Sequence, residues 1–121
     1  MRIFYIKQMI TAASQVVTED VTDLARCVGP AARLLKLLAS EQRLLLLCRL
    51  VEGETSVGVL ADHAKLAQST ASQHLAKMRA EGLVATRREG QTIYYRLDDP
   101  AAAQVLETLS GIYRGQAHGF G

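Results

Sequence analysis

The chain has 121 residues, 49% of them hydrophobic and 21% charged, and its formal net charge is +2 at neutral pH. This length suits one domain with a core of its own, and the composition excludes a wholly disordered chain. No run of residues approaches the roughly 18 consecutive apolar residues of a membrane helix, and the start of the chain lacks a signal-peptide pattern, so we expect a cytoplasmic protein.

The hydrophobic pattern divides the chain into one folded domain and two short ends. Residues 1–18 have no clear period and are predicted to form a poorly ordered extension. The domain is predicted over residues 19–114, and the glycine-rich residues 115–121 are predicted to form a flexible tail. Neither a repeat nor a long linker splits the domain.

Three helices are predicted in the first half of this domain. Apolar residues recur at the spacing of one helical face from Glu19 onwards. Gly29 and Pro30 interrupt this pattern, and Pro30 suits the first position of the next helix. Ser40 is a predicted N-cap for a third, almost wholly apolar helix that ends at Gly53.

The second half of the domain is predicted to contain two helices, a two-stranded hairpin around a glycine-containing turn, and a last helix capped by Asp98 or Asp99. The two helices cover residues 56–64 and 68–81, and the two strands cover residues 83–88 and 92–97. The last helix runs from its cap through Tyr113. The fold class is therefore mainly α with a small β-hairpin, in the order α-α-α-α-α-β-β-α. Two short helices followed by a hairpin form the pattern of a winged helix-turn-helix.

Positive charge is concentrated in the segment Lys65–Arg96. This segment contains six basic and two acidic residues, which gives it a net charge of +4. Because the whole chain carries +2, the remainder carries −2. A basic segment on a nearly neutral chain is typical of a nucleic-acid-binding surface, with scattered solvated side chains as the alternative.

The helix predicted over residues 68–81 presents two different faces. Ala71, Leu75 and Met78 recur at i, i+4 and i+7 and should face the core. The opposite face carries amide and hydroxyl side chains that can contact base edges in the major groove, with a lysine further along for the DNA backbone. The predicted DNA-contacting residues of this helix are Gln68, Ser69, Thr70, Ser72, Gln73 and Lys77.

The tip of the predicted hairpin carries a cluster of Arg87, Arg88 and Gln91. Clustered arginines beside such a helix favour phosphate or minor-groove contact over plain solvation. Tyr94 and Tyr95 alternate along the second strand, so at least one of them should pack inward. The hairpin is therefore predicted to contribute three further DNA contacts.

Three segments of the chain resemble the ArsR/SmtB family of winged-helix repressors. They are Leu-Ala-Ser-Glu-Gln-Arg-Leu-Leu-Leu-Leu at 38–47, Ser-Gln-His-Leu-Ala-Lys-Met-Arg-Ala-Glu-Gly-Leu-Val at 72–84, and Arg-Arg-Glu-Gly-Gln-Thr-Ile-Tyr-Tyr-Arg at 87–96. The likeness extends over residues 30–114. It implies a homodimer built on the first and last helices, which binds a palindromic double-stranded DNA operator and represses until an inducer arrives. Lys65, where glycine is frequent, and Ala67, where a capping serine is common, depart from the family pattern.

The same resemblance argues against a metal sensor. Metal-sensing members carry Cys-Val-Cys where this chain has Ser56-Val57-Gly58, so no soft-metal site is implied there. The last helix offers Glu107 without clustered partners, and His63 and His74 fall on different helices without a ligand spacing. The sequence therefore predicts no metal site, and no motif for a bound cofactor is present.

Cys48 and its flanking residues resemble the branch of the family that contains BigR, SqrR and HlyU. This resemblance implies sensing of reactive sulfur or oxidants by two cysteines, one at the position of Cys48 and one near the end of the last helix. This chain has Arg114 at the second position, and we hypothesise that Cys27 replaces the missing cysteine and forms a disulfide or polysulfide link with Cys48. The alternatives are two buried, inert cysteines and a NolR-like repressor without an inducer pocket.

Two other function classes are alternatives to DNA binding. The chain has no nucleophile–base pair with supporting spacing, no glycine-rich phosphate loop and no metal cluster, so an enzyme is not expected. A protein-interaction module with no DNA role is the stronger alternative. DNA binding that weakens steeply with salt distinguishes a DNA-binding protein from such a module.

Overall fold

A computed structural model of the protein describes residues 21–117, and side chains over residues 23–114. The predicted extension at 1–18 and the last four residues of the predicted tail lie outside the described residues. The elements of the described part are α1 (Val21–Arg26), α2 (Val28–Leu38), α3 (Glu41–Val51), β1 (Thr55–Ser56), α4 (Val57–Ala64), α5 (Gln68–Ala80), β2 (Val84–Glu89), β3 (Thr92–Leu97) and α6 (Pro100–Ala117). Five helices, a hairpin and a final helix confirm the predicted order, to which the structure adds β1.

The break between the first two helices lies at Cys27. This residue has φ −110° and ψ 21°, and its carbonyl oxygen accepts a hydrogen bond from Ala31 N at 3.0 Å. Pro30 falls in the first turn of α2, where N–H groups have no partner within the helix. The prediction that Gly29 and Pro30 interrupt the helix is therefore wrong by two residues, because a proline in the first turn does not end a helix.

Side-chain caps fix where α3 and α6 begin. Ser40 Oγ accepts a hydrogen bond from Arg43 N at 3.3 Å, which confirms Ser40 as the N-cap of α3. Asp99 Oδ1 accepts one from Ala101 N at 2.9 Å, so Asp99 rather than Asp98 caps α6. Each cap of this kind stabilises a helix by about 1 kcal/mol.

The last helix continues beyond the predicted end of the domain. α6 runs from Pro100 to Ala117, so the backbone of residues 115–117 is helical and extends α6 past Arg114. Within residues 21–117, no helix is both long enough and apolar enough to cross a membrane.

Strands β2 and β3 form an antiparallel hairpin, which we call the wing. Glu89 pairs with Thr92, so the turn consists of Gly90 and Gln91 alone. Gly90 has a φ of 63°, a left-handed conformation that glycine adopts without strain and that two-residue hairpin turns require. The turn is one residue shorter than predicted because Glu89 belongs to the strand.

A short third strand joins the wing to the start of α4. In β1, Thr55 pairs with Tyr95 and Ser56 pairs with Tyr94, which gives the sheet the order β1-β3-β2. Two residues are too few to show a strand period, so the sequence did not predict this element. Through β1, the loop that follows α3 is attached to the same strand that carries one side of the wing.

The core lies between α3, α4, α5 and one face of the sheet. Its fully buried large side chains are Leu46, Leu47, Leu50, Leu60, Leu75, Met78, Leu83 and Leu97. The predicted inner face of α5 is confirmed, because Ala71, Leu75 and Met78 all have 0% exposure. Since interiors are close-packed, burial of these three side chains fixes the rotation of α5 about its axis.

Candidate nucleic-acid interface

A left-handed residue closes the turn between α4 and α5. Lys65 has φ 57° and ψ 44°, and the following Leu66 N donates a hydrogen bond to Ala61 O at 2.9 Å. Because a side chain is disfavoured in this conformation, a lysine there costs about 1 kcal/mol or more relative to glycine. The turn nevertheless forms, and it places the N-terminus of α5 at the protein surface.

The N-terminus of α5 lacks a side-chain cap. Ala67 is the N-cap residue and makes no side-chain hydrogen bond. The N–H groups of a first helical turn and the positive end of the helix dipole attract phosphate. The start of α5 is therefore suited to a contact with the DNA backbone.

All six predicted contact residues of α5 lie off its core-facing side. Gln68, Ser69, Gln73 and Lys77 are exposed, and Thr70 and Ser72 are half-buried. Short hydroxyl and amide side chains at the leading end of an exposed helix allow a close approach to base edges.

The wing and α5 face each other across an open cleft of about 420 Å³. Gln68 and Ser72 line this cleft from α5, and Gln91, Ile93 and Tyr95 line it from the wing. Tyr95 is buried, which confirms that one tyrosine of the pair packs inward. The structure thus brings the turn residue Gln91 to the same cleft as two of the predicted contact residues of α5.

Arg87 is bound by other parts of the protein. Its Nε donates a hydrogen bond to Glu54 Oε1 at 2.8 Å, and its Nη1 lies 3.6 Å from Glu89 Oε2. Its guanidinium carbon lies 4.6 Å from the centre of the Tyr94 ring. The hydrogen bond to Glu54 raises the pKa of Arg87 above its usual value.

Arg88 leaves the wing on the opposite side from Arg87. It pairs with Ile93, a residue that lines the cleft, and cross-strand partners lie on the same face of a sheet. Arg88 is exposed, and no other described side chain forms a hydrogen bond or ion pair with it. Of the two wing arginines, Arg88 therefore has the guanidinium that no described carboxylate engages.

A second arginine contact holds α5 against the helices behind it. Arg43 Nε donates a hydrogen bond to His74 Nδ1 at 3.3 Å, and Arg43 Nη1 donates one to Leu37 O at 3.3 Å. The first bond joins α3 to α5, and the second satisfies a carbonyl at the C-terminal end of α2. Sequence reasoning missed this contact because its partners are 31 residues apart and follow no local pattern.

Comparison with known proteins agrees with this geometry. Residues 40–86 match the family described as bacterial regulatory protein, arsR family. The chain is 46% identical over 94 residues to the transcriptional activator HlyU of Vibrio cholerae, a match that covers 78% of this chain and 87% of that protein. The chain belongs to the ArsR family.

Solved structures of ArsR-family proteins share the fold. The transcriptional repressor BigR from Xylella fastidiosa superposes with a TM-score of 0.74 and 41% identity, over 78% of this chain and 96% of that one. NolR from Sinorhizobium fredii superposes with a TM-score of 0.65 and 42% identity, over 80% of this chain and 94% of that one. The family is described as regulatory, and HlyU and BigR as a transcriptional activator and a transcriptional repressor. The chain is therefore a transcription regulator of the winged helix-turn-helix type and not an enzyme.

Cys48 lies at a small groove between α3 and α6 of the ArsR-family fold. The groove encloses about 160 Å³, and Ala103, Leu106, Glu107 and Ser110 of α6 line its far side. Cys48 retains an exposed surface, but packing around the sulfur desolvates it in part, and this burial raises the pKa of the Cys48 thiol. A raised pKa disfavours the thiolate, which is the reactive form.

Cys27 lies at a larger, apolar groove of about 690 Å³ between the first two helices and α6. Leu24 and Leu34 line it on one side, and Gln104 and Thr108 of α6 line it on the other. Cys27 is exposed, and its thiol is free.

The two cysteines lie against opposite faces of α6. A helix turns by about 100° per residue, so the α6 positions beside Cys48 and those beside Cys27 point in roughly opposite directions. The structure therefore does not bring the hypothesised pair together within one chain. Arg114, at the position of the absent cysteine, is exposed and lies 3.8 Å from Glu107 Oε1.

Ser56, in the segment for which the sequence predicts no soft-metal site, has a structural role. Ser56 Oγ accepts a hydrogen bond from Val59 N at 3.4 Å and so caps α4. Across the described residues, no group of three or more His, Cys, Asp or Glu side chains is placed to hold a metal ion.

Proposed function

We propose that the protein is a cytoplasmic transcriptional repressor, which binds a palindromic operator as a homodimer. The observation that carries this proposal is the exposed polar face of α5, which faces the wing across an open cleft. In this proposal Gln68, Ser69, Ser72 and Gln73 contact base edges. Thr70, Lys77 and the wing residues Arg88 and Gln91 contact the DNA backbone, and Arg87 serves DNA binding by holding the wing in place.

Exposed apolar side chains on α1, α2 and α6 support the homodimer. Leu24, Val28, Leu35, Ile112 and Tyr113 are between 54% and 62% exposed. Several large apolar side chains left exposed on neighbouring helices are typical of an interface, and a second copy packed on these helices would bury them. A domain from Mycobacterium bovis, described as a homodimeric winged helix-turn-helix, superposes with a TM-score of 0.66 and 29% identity over 84% of this chain and 94% of that one.

Selection of duplexes from a random pool, followed by fluorescence anisotropy on the enriched sequence, tests DNA binding. We expect a palindrome whose half-sites are about one helical turn, roughly 10 bp, apart. Gln73→Ala should change the preferred sequence, whereas Lys77→Ala should weaken binding to all sequences alike. If no sequence is enriched and no duplex is bound even at low salt, the interaction module without a DNA role replaces this proposal.

Repression rather than activation is part of the proposal, because relatives carry both descriptions. HlyU of Vibrio cholerae is described as an activator. A protein of Xylella fastidiosa is described as a biofilm growth-associated repressor, and it is 43% identical over 75% of this chain and 80% of its own length. A reporter gene with the enriched site across its promoter distinguishes the two. Expression of the protein should lower reporter transcription, and a rise would overturn the assignment of repression.

We further propose Cys48 as the site at which reactive sulfur or an oxidant releases the protein from DNA. The groove beside its thiol supports this proposal. One solved HlyU structure is described as the reduced form, and it superposes with a TM-score of 0.71 and 42% identity over 75% of this chain and 96% of that one. A persulfide donor would transfer its outer sulfur to the Cys48 thiolate and leave as a thiolate. A link from Cys48 to Cys27 in the same chain would require α6 to move, since the two thiols lie on opposite sides of it.

Operator binding by Cys48→Ser, measured with and without a persulfide donor, tests the sensor proposal. The donor should weaken DNA binding by the wild type and leave the variant unaffected, with Cys27→Ser as the matched control. Mass spectrometry after treatment shows whether sulfur is added to Cys48 alone or joins both cysteines. If the donor weakens operator binding by neither protein, the inducer-independent, NolR-like alternative is favoured. An equal weakening of both proteins would exclude Cys48 as the site of release.

A further inference from the structure

The two consecutive wing arginines have different surroundings. Arg87 points to the side of the wing where Tyr94 lies and is engaged by Glu54, Glu89 and that ring. Arg88 points to the cleft side, is exposed and has no such partner among the described side chains. Identical residue types at adjacent positions therefore do not have identical roles.

Glu54 connects Arg87 to the helix-turn-helix. This carboxylate lies in the loop between α3 and α4, immediately before β1, and 33 residues before its arginine partner. Its side chain is 29% exposed, less than the 46% of Arg87, so the carboxylate is the more buried end of the ion pair. The ion pair attaches the side of the wing to the segment that leads into α4, and the stack on Tyr94 joins the two wing strands on the same side.

We propose that Arg87 is a positioning residue, which fixes the wing against the helix-turn-helix through Glu54 and Tyr94, and that Arg88 is the wing arginine that contacts DNA phosphate. This inference rests on the proposed DNA-binding function. The Nε–H of Arg87 is already used by Glu54, and the Glu54 and Glu89 carboxylates beside its guanidinium would repel a phosphate that approached its remaining N–H groups. Arg88 has no such competing partner among the described side chains, and it lies on the sheet face of Ile93, which lines the cleft together with Gln68 and Ser72.

Hydrogen exchange of the wing amides in the free protein tests the positioning role without DNA. Removal of the ion pair and the stack should speed exchange in β2 and β3 by about threefold or more, as expected for the loss of one partly exposed ion pair and one cation–π contact. Arg87→Ala removes both contacts and should show the full effect, whereas Glu54→Gln removes only the ion pair and should show a smaller acceleration in the same strands. Arg88→Ala is the matched control, with the same lost charge on the next residue, and should leave exchange unchanged. Unchanged exchange in Arg87→Ala would overturn the positioning role.

The salt dependence of DNA binding separates the two arginines. Each lost phosphate contact lowers the slope of log K against log salt by about 0.9, so a dimer with Arg88→Ala in both wings should lose about 1.8. Arg87→Ala should weaken binding but keep the slope. Arg88→Lys should retain most of the affinity because a point charge suffices for phosphate, whereas Arg87→Lys should bind almost as weakly as Arg87→Ala because lysine lacks the planar fork.

The two experiments fail in different ways. A loss of slope in Arg87→Ala, or an unchanged slope in Arg88→Ala, overturns the assignment of roles while DNA binding itself stands. If the wild type binds no duplex, the proposed function and the phosphate role of Arg88 both fail. The exchange experiment still decides the role of Arg87 in that case.

Discussion

Replacement of Leu75 by alanine tests the orientation of α5, on which every proposed base contact depends. The Leu75 side chain is 0% exposed and lies in the same core as Met78 and Leu60. Removal of its buried methyl groups loses transfer free energy and leaves a cavity, which together lower the free energy of unfolding by about 2–5 kcal/mol. For a domain of this size, the melting temperature Tm should fall by on the order of 10 °C. Gln73→Ala, two residues earlier on the exposed face, should change the free energy by less than about 0.5 kcal/mol.

Urea unfolding followed by circular dichroism measures both variants, at one fixed protein concentration because dimerisation would contribute to the apparent stability. The ratio of the two effects is the decisive quantity. If Leu75→Ala costs less than about 1 kcal/mol, or if Gln73→Ala costs as much, α5 is rotated relative to the structure. The set of DNA-contacting residues would then be wrong.

Three further predictions concern single side chains. Arg43→Lys should lower the free energy of unfolding by about 1–2 kcal/mol in urea titrations, because the lysine ammonium does not reproduce both the hydrogen bond to His74 and the one to the α2 carbonyl. A double-mutant cycle with His74→Ala should show a favourable interaction energy between residues 43 and 74. Ala67→Ser should stabilise the protein by about 1 kcal/mol because its Oγ would cap α5. The same substitution should weaken DNA binding, because the Oγ would occupy a backbone N–H that we propose binds phosphate. Unchanged DNA affinity would argue against phosphate at that position. Because the pKa of the Cys48 thiol is raised, its alkylation in a Cys27→Ser background should reach half its maximal rate at a higher pH in the folded than in the unfolded protein. For the same reason, the folded protein should lose stability relative to Cys48→Ser as pH rises through the usual thiol range.

Local patterns were sufficient to predict the elements that position the interface. The i, i+4, i+7 spacing in α5 gave its inner face correctly, and Ser40 gave the start of α3, because helix burial and capping depend on residues within one or two turns. Pro30 misled the prediction of the first break because proline is also compatible with a first helical turn. β1 was missed because two residues carry no period.

Contacts between distant residues could not be predicted in this way. Glu54 is 33 residues from Arg87 and no local pattern marks it as a partner, so both wing arginines were predicted to have one shared role. The relation of Cys27 to Cys48 depends on which faces of α6 they approach. Apolar spacing indicates that α6 packs against neighbours on more than one side, but it does not say which neighbour lies on which side.

The central claim is that two copies of the chain bind one duplex through α5 and the wing. Titration of the enriched duplex with the wild-type protein, followed by fluorescence anisotropy at several salt concentrations, tests it most directly. We predict saturation at two chains per duplex and an affinity that falls linearly on a log–log plot against salt, because counterions are released from the contacted phosphates. Saturation at one chain per duplex would contradict the homodimer, and an absence of binding at low salt would contradict the DNA-binding function itself.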